Sequence, residues 1–230
     1  RNKVFVASKF KPKNNSYEGI MRSIAGSLQR LDTDYIDLYQ VQWPNASFPI
    51  EETMRALRQL LKDNKIRFVG VSNFSIDEFE EAQACLGNDK IVSNQVEYNL
   101  HNRLVEEDFL PFSEMKQITV IAYSPFNQGR TGLQRQKLDT LNDIARRYEK
   151  SIYQIILNWI VSQKTIVTIP RSMSFEHTQK NAVAVDFTID TDDIEKIETV
   201  FIPEIILVET SNIRVIKYDV DDTHPVYTTL

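Results

Sequence analysis

The chain has 230 residues, a net charge of −5, 42% hydrophobic and 26% charged residues. That length supports one large domain with a substantial core, the acidic balance excludes a basic face for nucleic acid, and no apolar run is long enough to span a membrane. Cys85 is the only cysteine, so no disulfide can form within the chain and a reducing, cytoplasmic setting is expected. His101, His177 and His224 are scattered, so no metal site is expected. The start at Arg1 runs into a strand almost at once and has no leader-peptide pattern.

In chain order, the pattern predicts a strand over 4–7 with Lys9 at its C-terminal end. A polar loop follows, then a helix whose Ile20, Ile24, Leu28 and Leu31 share one face. A strand over 35–41 ends at Gln42-Trp43-Pro44, and Pro49 starts a helix carrying Met54, Leu57, Leu60 and Leu61. Ile66, Phe68, Val69 and Val71 read as a buried strand. Ser72 and Asn73 stand where it ends, and Ser75 opens the next helix with Glu78 as its capping-box partner. On this stretch alone, Ser72 and Asn73 read equally as turn formers and as a ligand-binding strand tip.

The next strand spans 91–96, with Gln95 near its end. A helical pattern over 104–115 contains Pro111, which predicts a break or kink there. A strand over 118–122 ends at Tyr123-Ser124-Pro125. A loop over 127–135 leads to a helix with Leu138, Leu141, Ile144 and Tyr148, and Ser151 caps a second helix over 152–161. A strand over 165–169 precedes Pro170-Arg171-Ser172, and two short helices cover 175–182 and 192–200. Beyond them, 205–208 and 213–218 read as two strands around 209–212.

Six strands, each followed by helical sequence, predict an α/β fold with a parallel sheet and helices outside. Only six glycines occur, and no Gly-x-Gly-x-x-Gly follows a strand, so a (β/α)8 TIM barrel is expected over a dinucleotide-binding doubly wound sheet. Polar or aromatic residues mark all six C-terminal strand tips: Lys9, Gln42, Ser72 with Asn73, Gln95, Tyr123, and Arg171 with Ser172. In a barrel these tips converge on one mouth.

Several motifs, in order, resemble the aldo-keto reductase family. They are Asp34-Tyr35-Ile36-Asp37-Leu38-Tyr39 with Trp43-Pro44, Val69-Gly70-Val71-Ser72-Asn73-Phe74, Asn94-Gln95-Val96-Glu97-Tyr98-Asn99, Ile121-Ala122-Tyr123-Ser124-Pro125, and Ile169-Pro170-Arg171-Ser172 with Asn181. The match covers about residues 4–200 and corresponds to strands three to eight of the family barrel. The resemblance implies NADP(H) bound across the mouth and reduction of aldehydes and ketones by direct hydride transfer. By position, Ser72, Asn73 and Gln95 would bind the nicotinamide carboxamide, and Tyr123, followed by Ser124, would stack on its ring. Arg171, Ser172 and His177 would meet the 2′-phosphate, and Asn181 the adenine. Lys9 falls on the family's catalytic lysine, which lowers the pKa of an acid Tyr and pairs with an Asp; that Tyr and Asp belong to the two strands absent from this chain. Gln42 stands where the family usually has His, and His177 where it has a second phosphate-binding Arg.

Without the resemblance, Lys9 reads as a solvated strand-end lysine, and Trp43 equally as a substrate-pocket wall and a core aromatic. Tyr35 and Tyr39 are expected to pack on helices, Cys85 to be a small buried hydrophobe, and His101 and His224 to lie on the surface. Two functions follow: an NADP(H)-dependent reductase of carbonyl compounds, or a catalytically silent nucleotide-binding barrel acting as sensor or scaffold. The barrel is expected over 1–200, with 201–230 an extension that begins an appended module and offers a surface for a protein partner. No nucleic-acid or membrane partner is expected for the barrel.

Overall fold

Six parallel strands pair in chain order: β1 (Ala7–Phe10), β2 (Ile36–Val41), β3 (Ile66–Ser72), β4 (Ile91–Glu97), β5 (Thr119–Tyr123) and β6 (Ile166–Thr168). Such a sheet needs a crossover after every strand. These are supplied by α1 (Tyr17–Leu31), α2 (Ile50–Lys62), α3 (Ile76–Leu86), α4 (Phe109–Lys116), and the pair α5 (Arg135–Arg147) and α6 (Ile152–Ser162); α7 (Phe175–Ala182) and α8 (Thr191–Val200) follow β6. The computed structural model describes residue 1, residues 3–129 and 135–202, and three short strands beyond them. Residues 130–134 of the expected 127–135 loop lie outside the described residues. Among the described residues, one edge of β1 and one edge of β6 have no strand partner. No described helix is long and apolar enough to cross a membrane.

The helices start where local chemistry caps them. Ser16 accepts from Gly19 N–H, and Ser75 with Glu78, like Ser151 with Gln154, forms a reciprocal capping box. Apolar side chains of α1 (Ile20, Ile24), α2 (Met54, Leu57, Leu60) and α3 (Phe79, Ala82) close on Tyr39, Val41, Val69 and Val71 of the sheet in one continuous core. Tyr39 is fully buried there, tilted against Phe10 at 5.3 Å, and burial pushes its hydroxyl pKa up to about 12.

Three expectations are corrected. The first strand lies at Ala7–Phe10 rather than 4–7, so Lys9 sits inside it, opposite Gln40. The cause is Asp37: its carboxylate takes the Val6 N–H at 2.9 Å, and Arg1 and Arg67 close on it at 2.7 and 3.0 Å, while Val4 and Phe5 stay exposed. Pro111 does not kink a helix. The chain breaks earlier, between a 3-10 turn (Leu104–Glu106) and α4, which leaves Pro111 in the first helical turn, where a missing N–H costs nothing. The tail has three strands rather than two: β7 (Ile206–Glu209), β8 (Arg214–Lys217) and β9 (Val226–Thr229) form an antiparallel sheet in that order. The turn expected at 209–212 falls, beyond Glu209, outside the described residues, as does His224.

Asp37 gives a stability test with a defined sign. Burial alone would raise its pKa, but the Val6 N–H and the two guanidinium groups outweigh burial and hold it below the usual carboxylate value. A carboxylate with a depressed pKa stabilises the fold above its unfolded-state value and loses that contribution as pH falls through the folded value. Asp37→Asn should therefore cost about 2 kcal/mol at pH 7, with the gap to the parent narrowing below about pH 4. Urea unfolding at pH 7 and pH 3 measures it; a gap that widens in acid would contradict it.

Candidate active site

The C-terminal ends of β2 to β5 meet at Asn73. This residue follows β3 with φ at 61°, a left-handed conformation that Asn tolerates better than most residues. Its backbone N–H donates to Gln95 O at 2.9 Å. Its Nδ2 donates to Gln42 O at 3.2 Å and to Ser72 Oγ at 3.1 Å, and its Oδ1 accepts from the Tyr123 hydroxyl at 3.0 Å. Ser72 Oγ in turn donates to Gln95 O at 2.8 Å. Ser72 and Gln95 are buried, and Asn73 and Tyr123 are half-buried. Phe74 and Asn94 face the other way: Asn94 exchanges hydrogen bonds with the Phe74 backbone beside α3.

Below this layer Gln40 Nε2 donates to Gln95 Oε1 at 3.3 Å. Both side chains are buried, at 2% and 4% exposure. Ser124, also with positive φ at 52°, is half-buried, and its carbonyl accepts from Asn99 Nδ2 at 3.1 Å. Burial and the nearby Glu97 push the Tyr123 hydroxyl pKa up, so it is a poor proton donor.

Lys9, Gln42 and Trp43 stand on the β1–β2 side of the same end. Lys9 is half-buried, and burial lowers its pKa because the charged form loses hydration. Among the described residues its amine has no hydrogen-bond or ion-pair partner. Gln42 is half-buried, and Trp43, at 47% exposure, is no core residue.

A second site lies beyond β5 and β6. Phe126, Ser151, Tyr153, Arg171, Ser172, His177, Lys180 and Asn181 line a cavity of about 440 Å³. Phe126 and Tyr153 pack edge to face at 5.1 Å. Ser172 Oγ donates to Ser174 O and accepts from Ser174 N–H, which sets Ser174 to cap α7 through His177 N–H. Lys180 reaches Glu176 at 2.7 Å in an exposed ion pair. The sequence reading missed Lys180, Phe126, Ser151 and Tyr153. Only Lys180 carried a signal: it falls one helical turn after His177, on the same face. Gln40 was also missed; its signal was an amide in an otherwise buried strand.

Other side chains stay out of this chemistry. Cys85 is half-buried on α3, where burial, then Glu51 and Glu81, push its thiol pKa up, so it is no nucleophile. His101 packs edge-on against Phe201 at 6.0 Å. Among the described residues no cluster of His, Cys, Asp or Glu could hold a metal ion.

The model of the aldo/keto reductase family matches residues 1–202. Methylglyoxal reductase YeaE of Escherichia coli is 34% identical over 204 residues, covering 87% of this chain and 71% of that protein. Glyoxal reductase of Bacillus subtilis is 36% identical over 200 residues, covering 86% of this chain and 68% of that protein. A crystal structure of an aldo-keto reductase from Klebsiella pneumoniae with NADPH superposes with a TM-score of 0.78 at 30% identity, covering 88% of this chain and 72% of that one.

Asn73 serves by both backbone and side chain, and two substitutions separate the roles. Asn73→Gly and Asn73→Ala both lose the bonds to Gln42 and Tyr123. Only Ala also meets the left-handed strain, about 1 kcal/mol. Urea unfolding should find Asn73→Ala less stable than Asn73→Gly by about that much; the reverse order would show that the backbone conformation does not matter.

Proposed function

This chain belongs to the aldo/keto reductase family, and from that membership we propose that it binds NADP(H) across the ends of β3 to β6 and reduces small aldehydes and ketones to alcohols. The observation that carries the reading is the pairing of two sites. An amide-reading cluster of Ser72, Asn73, Gln95 and Tyr123 stands at three adjacent strand tips, and a cavity with two cationic side chains, a histidine and two aromatic rings opens after the next ones. A carboxamide needs a donor and an acceptor, which Asn73 and Gln95 hold, and a flat ring needs an aromatic face, which Tyr123 offers. Arg171, with His177 and Lys180, suits a phosphate. Phe126 and Tyr153 suit a purine, and Asn181 its polar edge. Ser172 shapes the turn before α7 and can meet the phosphate only by giving up its bond to Ser174. Ser124 sets the turn that carries the chain from Tyr123 to Phe126.

Bound there, NADPH supplies a hydride for the carbonyl carbon. The protein's task is then to hold the carbonyl and deliver a proton to its oxygen. Lys9, a partly desolvated cation, can lower the pKa of a neighbouring tyrosine hydroxyl and make it a proton donor. Tyr123 is not that donor. By the family resemblance, the Tyr and its Asp belong to strands that would pair with the open edge of β1. Gln42 can orient the carbonyl but cannot titrate as a His can. Trp43 forms a wall of the substrate side. Two relatives are named for methylglyoxal and glyoxal reduction, so small 2-oxoaldehydes are the first substrates to try. The same reading assigns residues 1–200 to the barrel and 201–230 to an appended module that offers a surface to a protein partner.

A second reading, a nucleotide-binding barrel without turnover, is favoured by Gln42, whose amide cannot titrate as the His usual at that place can. Cofactor titration and turnover separate the two. NADPH should bind more tightly than NADH, and Arg171→Ala should weaken NADPH by about 2 kcal/mol, roughly thirtyfold, with little effect on NADH. Equal affinity for the two cofactors would sink the phosphate assignment. Turnover of methylglyoxal that is lost in Lys9→Met, with NADPH binding kept, supports the reductase. Tight binding with no turnover on any simple aldehyde supports the silent barrel.

A further inference from the structure

We infer that Gln40 is a positioning residue for the cofactor: it fixes the Gln95 carboxamide through Gln95 Oε1, so that Gln95 turns its Nε2 donor toward the nicotinamide carbonyl. The inference rests on the reading of Gln95 as a nicotinamide contact.

Three features of the sheet make Gln40 reach Gln95. Tyr39, its neighbour on β2, packs with Phe10 in the helix-facing core, so Gln40 faces the opposite side, as alternation requires. β3 lies between β2 and β4, and the β3 residue opposite Gln40 is Gly70. A Cβ at Gly70 would stand 2.9 Å from Gln40 Cγ and 2.5 Å from Ser93 Oγ. The missing side chain is therefore what lets an amide cross one strand and bond to the next but one, at 3.3 Å.

The arrangement costs stability. Among the described residues Gln40 Oε1 and Ser93 Oγ are buried without a hydrogen-bond partner, and an apolar residue at 40 would spare the first of these costs. A local rule broken in a core beside a binding site calls for a function there. The neighbouring groups indicate which one. Ser72 spends its hydroxyl hydrogen on Gln95 O, and Asn73 spends Nδ2 on Gln42 O and Ser72 Oγ. The donor left over in the cluster is Gln95 Nε2, which meets no acceptor among the described residues. With Oε1 held by Gln40, the Gln95 amide can offer an acceptor instead only if the Gln40 amide turns with it. Asn73 Oδ1, with one lone pair taken by Tyr123, keeps the other for the carboxamide N–H.

The test uses the full chain with Gln40→Leu and Gln40→Met, titrated with NADPH and with 2′,5′-ADP, which has the adenosine end alone. Both variants should bind NADPH about tenfold more weakly, the worth of one oriented hydrogen bond, and bind 2′,5′-ADP as the parent does. The 3-acetylpyridine analogue, which keeps the carbonyl and lacks the amide N–H, should lose the same factor. Unchanged NADPH affinity, an equal loss for 2′,5′-ADP, or failure of both variants to fold would overturn the assignment and leave Gln40 a structural residue. A parent that binds neither NADPH nor 2′,5′-ADP would instead bring down the functional reading beneath it.

Discussion

One asparagine ties the working end of the sheet together. A parallel sheet leaves N–H and C=O groups open at its strand tips, and each must find a partner or water. Asn73 satisfies three strands at once: its backbone N–H meets β4, its Nδ2 meets the end of β2, and its Oδ1 meets Tyr123 of β5. Few side chains carry a donor and an acceptor at that reach and also tolerate a left-handed backbone. Its side chain holds those of Ser72 and Tyr123, and its backbone N–H fixes the Gln95 carbonyl. Their geometry is set before any ligand arrives, which is what tight and oriented binding needs.

β2 departs from the usual make-up of a strand in a parallel sheet. Strands covered on both faces are normally near-continuous apolar runs, yet all six residues of β2 are buried and two of them are Asp37 and Gln40. Asp37 is compensated by two guanidinium groups and a backbone N–H. Gln40 is compensated only in part. The stability to carry this comes from the helix-facing side, where Ile, Leu, Val and aromatic side chains form one uninterrupted cluster.

The cavity beyond β6 is built on another plan. α7 buries no residue, and Arg171, His177 and Lys180 are exposed. Affinity there must come from charge and ring contacts, so it will fall with ionic strength. The exposed Glu176–Lys180 pair is screened by solvent, so an incoming anion could take Lys180 at little cost. In the proposed reading the pre-set amide site would fix orientation and the exposed, charged site would capture.

What the sequence determined was whatever depends on neighbours along the chain. Strand–helix alternation, the Ser75–Glu78 capping box and the polar tips at Gln42, Ser72, Asn73, Gln95 and Tyr123 are local patterns, and each stands where the periodicity put it. The tertiary structure decided what depends on groups far apart in sequence. The Asp37 carboxylate takes Val6 N–H from 31 residues away and shifts the first strand, placing Lys9 inside it. Gln40 and Gln95 are 55 residues apart and meet only because register sets Gly70 between them. Lys180 comes to line one cavity with Arg171 only once α7 is folded beside it. Periodicity tells which face a residue takes, but register and the side chain opposite are fixed only when the strands pair, so cross-strand partners are written in no single stretch of the chain.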